Sequence, residues 1–144
     1  MASREAVMAA LFALAAASSR FKTTGRRLKI ANKTDAFPAL YVISVGENYP
    51  PREIRALPPK RTIEAQIWIY TDDGKDSSVA PEIGLNNALD ALETALAPSV
   101  MSGVQTLGLD ANVSHCWIEG PIEKYPGVLD GIAKAIVPVK ILLK

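Results

Sequence analysis

Apolar and polar positions alternate with two different periods along this chain, and the places where the period changes mark out its elements. Over 61–71, Ile63, Ala65, Ile67 and Ile69 alternate with Thr62, Glu64, Gln66, Trp68 and Tyr70, the period-two pattern of a strand with one buried face. Near the C-terminus Ala133, Ala135, Val137, Val139 and Ile141 share one face opposite Lys134, Lys140 and Lys144, which predicts a second such strand. Pro138 has no N–H to donate to a ladder, so this strand is expected at a sheet edge or carrying a bulge there. Phe37-Pro38-Ala39-Leu40-Tyr41-Val42-Ile43-Ser44-Val45 is almost continuously apolar up to Gly46 and predicts an interior strand covered on both faces. Val113 to Glu119 reads as a further strand, led into by Gln105-Thr106-Leu107 through Gly108 and Asp110.

Two stretches carry the helical period instead. Pro81 sits well in a first turn, and Leu85, Leu89, Leu92 and Leu96 form a stripe opposite Asn86, Asn87, Asp90 and Glu93, with Pro98 as the stop. Ser3 is a natural N-cap for an Ala-rich helix whose Val7, Ala10, Leu11 and Leu14 make one stripe. Arg4, the apolar run 7–17 and Ser18-Ser19 also mimic a secretory leader, but Glu5 is out of place in such a segment. The run is also shorter than the roughly 20 residues a membrane span requires, so the helix is the expected outcome. Between the elements, 18–25 reads as a connector and Arg26-Arg27-Leu28-Lys29-Ile30 as a short basic strand or extended segment. The loop 46–60 is stiffened by Pro50, Pro51, Pro58 and Pro59 around Arg52, Glu53 and Arg55. The order of helix, strands, helix, strands predicts a single α+β domain over 1–144, with two main helices on a mostly antiparallel sheet.

Composition narrows the function. Sixteen Lys and Arg against fifteen Asp and Glu leave a net charge of +1, so no global field draws the chain to nucleic acid or to an anionic membrane. One cysteine cannot form an internal disulfide.

Catalytic and metal chemistry find no footing in the pattern. His115 and Cys116 are the only residues of their types, and neighbours on an extended strand point to opposite faces, so they cannot act as base and nucleophile. The same alternation pairs His115 with Trp117. Asp72-x-Gly74-x-Asp76 echoes a calcium loop, yet Gly74 replaces a ligand and Ile83 stands where a bidentate Glu is required. Gly103-x-x-x-x-Gly108 is followed by Leu109 and Asp110 rather than the Lys and Ser/Thr of a phosphate loop. A single Cys and a single His do not make a zinc site. No cofactor and no catalytic or metal-binding residue is therefore expected, and the chain reads as a non-enzyme. The residues singled out are candidates for contact: Arg52 and Arg55 in the proline-rich loop, Trp68 and Tyr70 on the polar side of their strand, and Pro138. For the two aromatics the alternatives are packing under a helix and contact with another subunit.

Several segments, in order, carry a family resemblance. They are Arg4-Glu5-Ala6-Val7, Phe21-Lys22-Thr23 leading to Arg26-Arg27-Leu28, and Pro38-Ala39-Leu40, then Ile67-Trp68-Ile69-Tyr70 and Leu85-Asn86-Asn87-Ala88-Leu89-Asp90-Ala91. Gln105-Thr106-Leu107-Gly108 and His115-Cys116-Trp117-Ile118-Glu119-Gly120 complete the series. In order and spacing they resemble the tail terminator, or tail completion, family of long-tailed phages (minor tail protein U-like), over nearly the whole chain. That resemblance implies a small α+β virion subunit forming a ring, usually a hexamer, at the head-proximal end of the tail tube. Such a ring ends tube polymerisation and offers a surface for head joining. Its implied partners are copies of itself, the tail tube protein and the head connector or neck protein, with DNA passing through the lumen without specific binding and no membrane involved. Its implied place is the neck and tail of a virion assembled in the host cytoplasm. A neighbouring neck or head-completion adaptor, and a generic α+β binding module, are the alternative roles.

Overall fold

The computed structural model describes residues 3–34, 36–50, 60–74, 76 and 78–144. In it two helices lie on one face of a six-stranded, mostly antiparallel sheet, an α+β fold. The elements run α1 (Arg4–Ala15), β1 (Thr23–Gly25), β2 (Ala39–Asn48), β3 (Thr62–Asp72), α2 (Pro81–Ala95), β4 (Val113–Ile118), β5 (Glu123–Tyr125) and β6 (Ile132–Leu143). Sheet order is β1-β2-β3-β6-β4, and β5 also pairs with β6.

The centre of the sheet is the antiparallel pair β3 and β6, in register from Thr62 opposite Leu142 to Asp72 opposite Ile132. Ile63, Ala65, Ile67 and Ile69 from β3, and Ala133, Ala135, Val137, Val139 and Ile141 from β6, all point to the helix face and are all buried. Ser3 caps α1, its Oγ accepting from the Ala6 N–H at 3.0 Å, and the helix buries Val7, Met8, Leu11 and Ala15. Helix α2 starts on Pro81 and buries Leu85, Ala88 and Leu92. Its stripe thus runs through Ala88, while Leu89 lies half-buried at the margin.

Three expectations need correction. The strand carrying Pro138 is not at an edge but lies inside the sheet, between β3 and β4. The proline is accommodated because β6 changes neighbours at that point: β4 pairs with it as far as Val139, and β5 takes over at Ile136. The Pro138 carbonyl accepts from the Glu119 N–H at 3.2 Å, so that side of the residue faces the chain crossing from β4 to β5. The nitrogen faces the same way, since N–H and C=O of one strand residue share an edge. The missing donor therefore falls in a gap between two partner strands, and the register with β3 runs through Pro138 without a shift.

Gly46, expected to end its strand, instead lies at a β-bulge between Ser44 and Gly46, beyond which β2 continues to Asn48. Of the two alternatives for Arg26 to Ile30, the strand is not formed, and Ile30 is extended. The strand lies earlier, in the expected connector, where Thr23–Gly25 pairs parallel with Ala39, Leu40 and Tyr41. A parallel neighbour needs a crossover of about a dozen residues or more, and 26–38 is that crossover.

Ile67 is fully buried and pairs with Val42 on one side and Val137 on the other. Its truncation opens a cavity at the centre of the sheet. Ile67→Ala is expected to lower unfolding free energy by about 2–5 kcal/mol, measured by urea denaturation. A loss under about 1 kcal/mol would place the core elsewhere.

Candidate functional site

The sheet face opposite the helices is where this chain keeps exposed chemistry. Its β2–β3 end is closed: Ala39, Tyr41 and Tyr70 are buried there, with Leu28, Ala31, Phe37 and Trp68 packed against them. The rings of Tyr41 and Tyr70 meet edge to face at 6.0 Å. The Tyr70 hydroxyl donates to the Lys29 carbonyl at 2.9 Å, and Tyr41 shares a 3.2 Å hydrogen bond with Thr34. Burial pushes the Tyr70 hydroxyl pKa above its ordinary value, helped by Tyr41 beside it. The aromatics expected to lie under a helix or at a subunit contact therefore divide. Tyr70 lies under the 26–38 crossover, with a short 3-10 turn (Ala31–Lys33) in place of a helix, and Trp68 sits half-buried at the margin.

Beyond that margin the face stays half-exposed along Gln66, Ile136, Pro138, Lys140, Leu142, His115 and Trp117. The Trp68 indole N–H donates to Gln66 Oε1 at 3.1 Å. Lys134 Nζ stands 5.3 Å from the Trp68 ring centre and 4.3 Å from that of Tyr125, holding the two rings around one cation. Further along, His115 and Trp117 stack at 5.3 Å and 11°, as the alternation predicted. His115 Nδ1 accepts from the Gln105 N–H at 3.0 Å. The Trp117 indole reaches Glu119 Oε1 at 3.3 Å, and Glu119 Oε2 pairs with Lys140 Nζ at 2.5 Å. Hydrogen bonds from Lys140 and then Trp117 hold the Glu119 carboxyl below its ordinary pKa, and Glu119 in turn raises Lys140. A depressed carboxylate stabilises the fold above its unfolded value and loses that contribution as pH falls through the folded one. With both partners solvated, the effect is small.

Of the contact candidates, Trp68 and Pro138 lie on this half-open face and Tyr70 beneath its closed end. Arg52 and Arg55 fall outside the described residues. The structure adds residues that pattern reading passed over: Val100, Met101, Val128 and Leu129 stand at 82% exposure or more on the loops beyond the two ends of α2. Their only signal in the sequence is an apolar pair within a turn-rich stretch.

The geometry gives Cys116 no role as a nucleophile. Cys116 is 1% exposed on the helix side of β4, and desolvation pushes its thiol up to about 12, far from the thiolate that reacts. Among the described residues, no three of His, Cys, Asp and Glu gather as a metal group, and no helix is long and apolar enough to cross a membrane.

No family model matches the chain, and no curated protein matches it. Among solved structures, a chain of the virion of a native gene transfer agent particle is similar with a TM-score of 0.57 and 11% sequence identity. The match covers 95% of this chain and 93% of that one. The two chains share a fold.

Burial of Cys116 makes a direct prediction. A thiol reagent at pH 8 is expected to leave the native protein unlabelled over an hour and to modify one thiol per chain in denaturant. Rapid native labelling would contradict the packing of β4.

Proposed function

We propose that this chain is a virion structural subunit, and within that class a tail terminator: a protein that forms a homohexameric ring on the head-proximal end of a tail tube, stops tube growth and joins the tail to the head. The observation that carries the reading is the likeness over 95% of the chain to a chain of a gene transfer agent virion. The ordered segments from Arg4 to Gly120 that resemble the terminator family point the same way. A buried, poorly ionised Cys116 argues against a cysteine nucleophile.

A ring of identical subunits needs two different patches on each copy, and the half-open sheet face with Trp68, Pro138 and Trp117 offers one such surface. The exposed pairs Val100-Met101 and Val128-Leu129 offer apolar contacts beyond the two ends of α2, as suits a subunit with the tail tube on one side and the connector on the other. DNA passes through the lumen of such a ring without specific binding, and near-neutral net charge accords with that.

Deleting the gene from its particle is expected to give overlong tails that lack heads, and the purified protein to restore normal length and joining, scored by electron microscopy. Tails of normal length without heads would favour a neck adaptor instead. Normal, joined tails would sink both.

The proline-rich stretch after β2, with Arg52 and Arg55, is proposed to reach a neighbouring subunit or the tube. Removing its tip is expected to impair ring formation or tail joining while the fold's circular dichroism is retained. Intact assembly after the deletion would remove the loop from the interface.

A further inference from the structure

The charges of this chain are nearly balanced in number but not in place. Eleven of the sixteen Lys and Arg occur at or before Arg61, with only four of the fifteen Asp and Glu, and no Arg follows Arg61. The first part of the chain is therefore strongly basic and the rest strongly acidic. Among the described residues, one basic cluster lies in the crossover at the β1 end of the sheet and one acidic cluster lies on α2 toward the β4 end.

Each set gathers beside apolar surface. In the crossover, Arg27, Leu28, Lys29, Ile30 and Lys33 line a shallow cleft. Leu28 packs inward, but Ile30 is 59% exposed. Arg27, Lys29 and Lys33 make no ion pair among the described residues, unlike Arg26, which is paired with Glu5. On the helix side, towards the other end of the sheet, α2 and the β4–β5 strands enclose a groove of about 240 Å³. Leu89, Ile118 and Ile122 make it apolar, and Asp90 and Glu93 stand on its rim, also without an ion pair among the described residues. Its one cation, Lys124, is already held by Glu82 at 3.4 Å and by Asn86 at 2.6 Å.

We propose that the groove takes the basic crossover of a second copy of this chain, Ile30 entering between Leu89, Ile118 and Ile122 while Arg27, Lys29 and Lys33 meet Asp90 and Glu93. The two patches differ, lie on opposite faces and sit toward opposite ends of the sheet. Their meeting is thus a head-to-tail contact, the kind that closes a ring when its rotation closes. Complementary charge guides the encounter and sets the register, and the apolar insertion adds desolvated contact at the centre. This deepens the ring reading and rests on it, adding the pair of surfaces that join neighbouring subunits.

The test is a charge swap read by sedimentation velocity and native mass spectrometry on the full-length protein. Wild type is expected to self-associate at low salt, with affinity falling about tenfold or more toward 1 M NaCl as screening shortens the reach of the charges. A groove variant, Asp90→Lys with Glu93→Lys, and a crossover variant, Arg27→Glu with Lys29→Glu, are each expected to stay monomeric. All four side chains are exposed, so the fold is expected to survive, checked by circular dichroism and melting temperature. Mixing the two variants is expected to restore assembly, since every groove then faces a crossover of opposite sign. That rescue cannot come from misfolded protein. Variants that each assemble like wild type, or a mixture that stays monomeric, would overturn the docking pair and leave the ring reading to the tail-length experiment. A wild type that stays monomeric at low salt and high concentration would also overturn it.

Discussion

The pairing of β3 with β6 is the constraint on which the rest of this structure depends. The two strands lie 60 residues and more apart in sequence, yet stay in register along the whole eleven-residue length of β3. Because side chains alternate with period two, that register decides every face at once. It puts Ile63, Ala65, Ile67 and Ile69 beside Ala133 to Ile141 under the helices, and it puts Glu64, Gln66, Trp68 and Tyr70 beside Lys134 to Lys140 on the other side. A slip of one residue would bring Lys134 and Lys140 into the core, where unpaired charge is strongly disfavoured. The sheet's inner and outer chemistry is thus one decision taken at one interface.

The two faces are then finished differently. Helices α1 and α2 close the inner face with Val7, Leu11, Leu85 and Leu92. The outer face is closed only at one end, by a polar, basic crossover that contributes Leu28, Ala31 and Phe37 and accepts a hydrogen bond from Tyr70. The rest is left to amphipathic packing, with Lys134 between Trp68 and Tyr125, and Lys140 between Glu64 and Glu119. Such a surface keeps its charges paired and offers broad aromatic area to a partner, since Trp and Tyr combine apolar bodies with a polar handle.

How much of this the sequence announced follows from which forces are local. Alternation in β3 and β6 is a local periodicity, and their buried faces were legible residue by residue; on α2 the stripe was legible except that Ala88 is buried where Leu89 was expected. The neighbours of β6 were not. Pro138 looked like an edge marker because nothing in its own strand reveals that β4 stops and β5 begins beside it. The apolar run of β2 is covered on both faces only from Ala39 to Val42, and Val45 is 49% exposed. The identity of the second cover was hidden, because Arg26-Arg27-Leu28-Lys29-Ile30 carries the charge of a solvated segment and buries only Leu28 deeply enough to help. Strand β1, three residues long with no period of its own, exists only through its pairing with β2. For the candidate contacts, Trp68 and the His115–Trp117 stack were legible from alternation, whereas the exposed tips at Val100, Met101, Val128 and Leu129 depend on the course of loops.

The ends of the sheet bear on how copies of this chain can meet. A long bare edge strand invites another chain to add to the ladder, and an edge at β6 would have offered twelve residues for it. The real edges are shorter. Strand β1 covers only Ala39 to Tyr41 of β2, so the outer side of β2 from Val42 to Asn48 pairs with no other described strand and is interrupted by the bulge at Ser44 and Gly46. The outer side of β4 is partly taken, the Cys116 N–H donating to the Gln105 carbonyl at 2.8 Å and the Gln105 N–H to His115. The docking pair proposed above uses side chains and neither of these edges. Side-chain contacts can be matched in charge and shape to one orientation, whereas ladder hydrogen bonds tolerate shifts in register. The proposed ring would draw on such matched, unlike patches rather than on a free strand.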